Sequence, residues 1–129
     1  QRNLLRNIIT QADSCIALPH PGATLRYGHE TMVMPLVCLL NLNGYGEPVD
    51  RLEQLATVGW YDYRIFPMGC NLQLVFYRRS QTDSDVLVKF LFNEDEARLP
   101  IATDCAPYYH WRDVRAYYLH KLDSYEKLK

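Results

Sequence analysis

His29, Glu30 and Thr31 stand together in the stretch Ala23-Thr-Leu-Arg-Tyr-Gly-His-Glu-Thr31. An imidazole that can hydrogen-bond an anion, beside a carboxyl group that can give up a proton, is half of an acid–base site for phosphate. The same stretch reads as a short strand from Thr24 to Tyr27 that meets Gly28 and passes into an apolar helix. Such a turn places both side chains at the carboxyl end of a strand, where open α/β sheets bind ligands. It also sets them over a helix N-terminus, whose free N–H groups and positive dipole end favour anions. Arg26, on the strand, is either a further phosphate contact or the partner of a surface carboxylate. A clear second half of the site is not evident in the chain.

The elements that must position these residues follow from hydrophobic spacing. Leu4, Leu5, Ile8, Ile9, Ala12 and Ile16 recur at helical intervals, which predicts a helix over Arg2 to Leu18 that stops at Pro19. Pro19-His20-Pro21-Gly22 is a loop. The helix after the His-Glu pair is expected to begin near Thr31, capped by its hydroxyl, with Pro35 in the first turn and a left-handed stop at Asn43-Gly44. A short helical piece is expected around Val49 to Thr57. Leu72 to Arg78 and Val86 to Phe92, joined by the polar Ser80-Gln-Thr-Asp-Ser-Asp85, predict a β-hairpin. Apolar residues on both faces of these runs predict a sheet covered on both sides. Trp111, Val114, Tyr118, Leu122 and Tyr125 mark an amphipathic C-terminal helix. The fold class expected is α/β in a single domain: helices packed on a central mixed sheet with one antiparallel hairpin. So thin a core leaves a sheet flank exposed, which favours association as a homodimer.

Composition bounds the function without naming it. The chain has 129 residues, 48% of them hydrophobic and 22% charged, which is one ordinary globular domain by size and content. A formal net charge of −1 gives no electrostatic case for nucleic acid or an anionic membrane. The longest apolar run, Met32 to Leu40, is too short to cross a bilayer. The chain begins with Gln1 rather than Met, as a processed or truncated product would. Cys15, Cys38, Cys70 and Cys105 lack the close spacing of a zinc or redox motif. Cys15 and Cys38 read as buried thiols, with a disulfide remaining open if the protein is exported.

The remaining polar and aromatic residues have plainer readings. His20, between two prolines, is an exposed loop residue. His110 and His120 read as solvent-facing at the start and outer face of the last helix. Asp104 and Asp113 read as a turn acid and a first-turn acid. Tyr108, Tyr109, Trp111, Tyr117 and Tyr118 read as core aromatics with a wet edge rather than a ligand platform. Asn71 is a candidate brace for the sheet.

The run Leu25-Arg-Tyr-Gly-His-Glu-Thr31 and its apolar helix resemble the second signature of the histidine acid phosphatases, the branch that holds the phytases and multiple inositol polyphosphate phosphatases. Ala12-Asp-Ser-Cys-Ile16, Phe66 to Tyr77 and Val86 to Asn93 through Arg98-Leu-Pro100 are similar to the helix before that signature and to the strands after it. The resemblance spans nearly the whole chain but only the C-terminal part of that family's catalytic domain. The family's first signature, Arg-His-Gly-x-Arg-x-Pro, supplies the nucleophilic histidine and the phosphate-clamping arginines, and no Arg-His-Gly stands among these 129 residues. The resemblance implies hydrolysis of phosphate monoesters through a phosphohistidine. Glu30 would then be the proton donor, His29 a stabiliser of the transition-state charge, and Thr31 and Arg26 substrate contacts. It implies no metal or cofactor, and a periplasmic or secreted location. Two other readings stand beside it: an anion-binding module without turnover, and a small metal-dependent protein using His29, Glu30 and a further histidine.

Overall fold

Leu5, Ile9 and Ala12 lie on one face of the first helix, α1 (Arg2–Ile16), and that face is buried. The computed structural model describes residues 1–127, and within them α1 is followed by α2 (Glu30–Leu40), α3 (Asp62–Ile65) and α4 (Trp111–Glu126). Four strands form the sheet: β1 (Leu72–Tyr77), β2 (Leu87–Phe92), β3 (Asp95–Glu96) and β4 (Tyr109–His110). The chain is therefore mixed α/β. Every strand pairing among the described residues is antiparallel, so the sheet is not the mixed one expected.

β2 is the centre of the sheet. The hairpin register runs from Leu72 opposite Phe92 to Tyr77 opposite Leu87. The far edge of β2 is shared, β3 pairing with Leu91 and Phe92 and β4 with Leu87 and Val88. Val88, Phe90 and Phe92 are buried while Leu87, Lys89 and Leu91 between them are half-covered. That alternation is the period of a sheet with one face on the core. The expectation of a sheet fully covered on both faces is corrected accordingly. On the outer face the Tyr108 ring packs edge-on against Tyr77, and Lys89 lies over Tyr108 while pairing with Glu96.

α1, α4 and the end of α2 close over the inner face, where Leu5, Ile9, Leu40, Leu74, Phe90, Trp111 and Tyr118 converge. Asp13 on α1 receives the Trp111 indole N–H at 2.9 Å and the Arg115 guanidinium at 2.8 Å, which ties α1 to α4. The last carbonyls of α2 have no partner within their own helix. Two donors on α4 fill that gap: the Tyr118 hydroxyl donates to the Leu40 carbonyl at 2.8 Å and the Lys121 ammonium to Leu39 at 2.7 Å.

Several local expectations shift by a turn or less. α1 stops at Ile16 rather than Leu18, one turn before Pro19 forces the chain out. The N-cap of α2 is His29 rather than Thr31, and no side chain caps it. Pro35 is consequently the sixth helical residue, in the second turn. The left-handed stop falls at Asn41, φ 51°, because Asn41 Oδ1 accepts the Gly46 N–H at 2.8 Å and folds the chain back. The piece expected over Val49 to Thr57 is a single 3₁₀ turn, Leu52–Gln54. Cys15 and Cys38, expected to be buried, are half-covered, and Cys15, Cys38, Cys70 and Cys105 are all free thiols. Thr24 to Tyr27 forms no strand: no β-pairing reaches it, and an extended segment without a neighbour has nowhere to place its backbone bonds.

Candidate functional site

The His-Glu pair sits where the irregular stretch 21–29 enters α2. His29 has extended backbone (φ −112°, ψ 166°), and its carbonyl accepts the N–H groups of Met32 at 2.9 Å and Val33 at 3.3 Å. Glu30 and Thr31 are the first two helical residues, and all three side chains are exposed. No side-chain hydrogen bond engages His29, Glu30 or Thr31 among the described residues. The pair is thus free to meet a ligand, over the positive end of an eleven-residue helix. Glu30 in the first turn also suits that dipole, so the position stabilises the helix in its own right.

Arg26 is turned elsewhere. Its guanidinium donates to Asn7 Oδ1 at 2.6 Å, fastening the segment before α2 to α1. A second tether joins Cys15 Sγ and Thr24 Oγ1 at 3.3 Å. Of the four residues read as a site, the structure therefore groups His29, Glu30 and Thr31 and holds Arg26 on α1. Gly28 has ordinary room for a Cβ, 3.8 Å from Met32, so no close approach explains it here. Large apolar side chains flank the pair in the open: Leu25 is 75% exposed and Tyr27 93%, with Met32 and Met34 on the helix beside them.

A second group of chemistry-bearing side chains lies at the start of α4. His110 was expected to face solvent and Asp104 to be an ordinary turn acid; both expectations are corrected. The His110 ring is mostly covered and held at both nitrogens, Nδ1 to Asp85 Oδ1 at 2.8 Å and Nε2 to Asp104 Oδ1 at 2.9 Å. The two carboxylates, Asp85 foremost, raise the His110 pKa above the usual histidine value. His110 in turn holds the Asp104 carboxyl below the usual carboxylate range, assisted by the Asp104 and Cys105 backbone and side-chain donors. Cys105 Sγ lies 3.9 Å from His110 Nε2. Only the pairing of β4 with β2 brings Asp85 to His110 across 25 residues, so no local pattern announces the group. The signal within reach of sequence was Asp104 and Cys105, six and five residues before His110.

The other readings hold. His20 and His120 are exposed, and the His20 ring hydrogen-bonds the neighbouring Pro21 carbonyl. Tyr109, Trp111 and Tyr118 are buried, with Tyr108 and Tyr117 half-covered at the wet edge. Asn71 braces the sheet end: its side-chain amide donates to Glu94 Oε1 at 3.1 Å, and its backbone carbonyl accepts the Asn93 N–H at 2.9 Å. Burial pushes the Cys38 thiol up, which makes it a poor nucleophile.

No helix among the described residues is long and apolar enough to cross a membrane. Compared with models of known protein families and with curated proteins, the sequence matches none.

Proposed function

We propose that this chain is the C-terminal, proton-donating segment of a histidine acid phosphatase. The observation that carries the reading is the His29-Glu30 pair at the first turn of α2, exposed and engaged by no other side chain among the described residues. The resemblance of the surrounding sequence to the family's second signature supplies the rest. In this reading the Glu30 carboxyl gives its proton to the leaving alcohol oxygen as the phosphorus–oxygen bond breaks. The resulting carboxylate then takes a proton from the water that hydrolyses the phosphohistidine. His29 donates a hydrogen bond to a phosphoryl oxygen and offsets the charge that builds there. The Glu30 and Thr31 backbone N–H groups, which have no acceptor within the helix, add to that field. The nucleophile and arginine clamp belong to a part of the polypeptide outside these 129 residues. Phosphate monoesters are the substrate class.

The exposed Leu25 and Tyr27 suit this reading too. In an extended segment that precedes the site, they are the side chains a neighbouring strand and its covering helix would bury.

The test is turnover of the polypeptide encoded by the complete reading frame, with Glu30 intact and as Glu30→Gln. General acid catalysis matters most when the leaving alkoxide is a strong base. Glu30→Gln is therefore expected to lower kcat about 10²–10⁴-fold on an alkyl phosphate, and much less on p-nitrophenyl phosphate. Equal losses on both substrates would remove Glu30 from the proton-donor role. Tight binding of inorganic phosphate with no hydrolysis at all would replace the enzyme by an anion-binding module.

A further inference from the structure

The Asp104, Cys105 and His110 side chains present one carboxylate oxygen, one sulfur and one imidazole nitrogen within 4.8 Å of one another. From that arrangement we infer a site for a zinc-class divalent cation, independent of the His29-Glu30 pair. Its ligands are His110 Nε2, Cys105 Sγ and an Asp104 carboxylate oxygen, with a fourth position left to water.

The donor spacing suits the ion. Around a tetrahedral zinc with bonds of about 2.0–2.1 Å to nitrogen and oxygen and 2.3 Å to sulfur, neighbouring donors stand roughly 3.3 Å and 3.6 Å apart. His110 Nε2 is 2.9 Å from Asp104 Oδ1 and 3.9 Å from Cys105 Sγ. Seating an ion needs the first pair to open and the second to close by a few tenths of an ångström, and the Asp104 and Cys105 donors, within 4.8 Å of each other, to stand about 3.6 Å apart. A mixed sulfur, nitrogen and carboxylate set selects borderline cations such as Zn²⁺ over Mg²⁺ or Ca²⁺, which prefer oxygen alone.

The frame behind the ligands is built. Asp85 Oδ1 accepts from His110 Nδ1 at 2.8 Å, which turns Nε2 towards the other two donors. A carboxylate on the far nitrogen is the usual outer partner of a metal-bound histidine. Asp85 is itself held, its N–H donating to Asp83 Oδ1 at 2.9 Å. β4 pins the His110 backbone to Leu87, and the Trp111 N–H donates to the Val86 carbonyl at 2.8 Å. The loop carrying the other two ligands is fastened by Thr103, whose hydroxyl donates to the Tyr108 carbonyl at 2.7 Å and accepts the Cys105 N–H at 3.3 Å. Asp104, with 81% of its side chain exposed, forms the open rim through which an ion and a water reach the site.

A cysteine nucleophile served by His110 fits these contacts less well. Nε2, the nitrogen that would take the thiol proton, is closer to Asp104 than to the sulfur, and 3.9 Å exceeds the reach expected of such a pair.

Cobalt(II) is the probe, because a thiolate ligand gives it an intense charge-transfer band in the near ultraviolet. Titrating the reduced full chain with Co²⁺ is expected to develop that band to one ion per chain, with Zn²⁺ displacing it. Cys105→Ser is expected to abolish the band while circular dichroism stays unchanged. Asp85→Asn, which touches no ion, is expected to keep the band and weaken binding about 10–100-fold. Absence of stoichiometric Co²⁺ binding overturns the inference, as does a thiolate band that survives in Cys105→Ser.

Discussion

Gly46 shows how a single position decides the path of the chain after α2. A Cβ built there would stand 2.2 Å from the Cys38 carbonyl oxygen and 3.1 Å from the Asn41 Cα, both backbone or next to it. The neighbour that must give way is the last turn of a helix, which cannot yield as a flexible side chain does. Gly46→Ala is expected to cost about 2–3 kcal/mol through this overlap, read as a lower urea midpoint with an unchanged slope. Full wild-type stability would mean that the turn at Asn41 relaxes at no cost. The site residues differ in the same way in what their sequence surroundings disclose. His29 and Glu30 are legible because adjacency alone brings them together at a helix start. Asp85 and His110 are not, since each reads as a lone surface residue until two strands pair.

α2 and α4 illustrate a dependence between elements that neither states by itself. The apolar run from Met32 to Leu40 announces a helix, and Val114, Tyr118 and Leu122 announce another. That the first should end on side chains of the second is a tertiary fact. The Tyr118 hydroxyl is buried, and its acceptor at Leu40 is shielded from water. Tyr118→Phe keeps the ring in place but leaves that carbonyl without its donor, for an expected loss of about 1–2 kcal/mol. Chemical denaturation of the variant measures it, and wild-type stability would show that the carbonyl finds another donor. The hairpin was legible because its two runs are rich in Leu, Val, Phe and Tyr and its connector is polar. Its one-sided burial was not. Leu87 and Leu91 look like core residues, yet the elements that pack on this sheet are ranged on its other face, leaving theirs half-covered.

Taken as a body, the molecule leaves large apolar side chains exposed singly along the connecting region, at Leu52, Val58, Tyr63 and Met68, and as a group around the entry to α2. Leu25, Tyr27, Met32 and Met34 fall within ten residues and are exposed, in and beside a segment that pairs with no strand among the described residues. Exposed apolar side chains beside unpaired backbone invite association. We expect the 129-residue chain by itself to self-associate, as a sedimentation coefficient that rises with concentration, and Leu25→Asp with Tyr27→Asp to return it to a monomer. A wild-type coefficient independent of concentration would show that the patch needs no cover. The exposed Thr24–Tyr27 stretch is also where the expected fold departs furthest from the observed one. Its alternation is that of a strand, but a strand exists only through its neighbours.

Local chemistry thus determined α1, α2 and α4, the hairpin and the His29-Glu30 pair, because apolar spacing, prolines and adjacency act over a few residues and need no distant partner; the short α3 had no such signal. Only the tertiary structure decided the antiparallel sheet, the side of it that faces the core, the ending of α2 on α4 and the Asp85–His110–Asp104 group. Their decisive contacts, His110 to Asp85, β4 to β2 and Tyr118 to Leu40, join residues more than twenty positions apart, and chain closure over such separations is governed by how the whole core packs rather than by any local run.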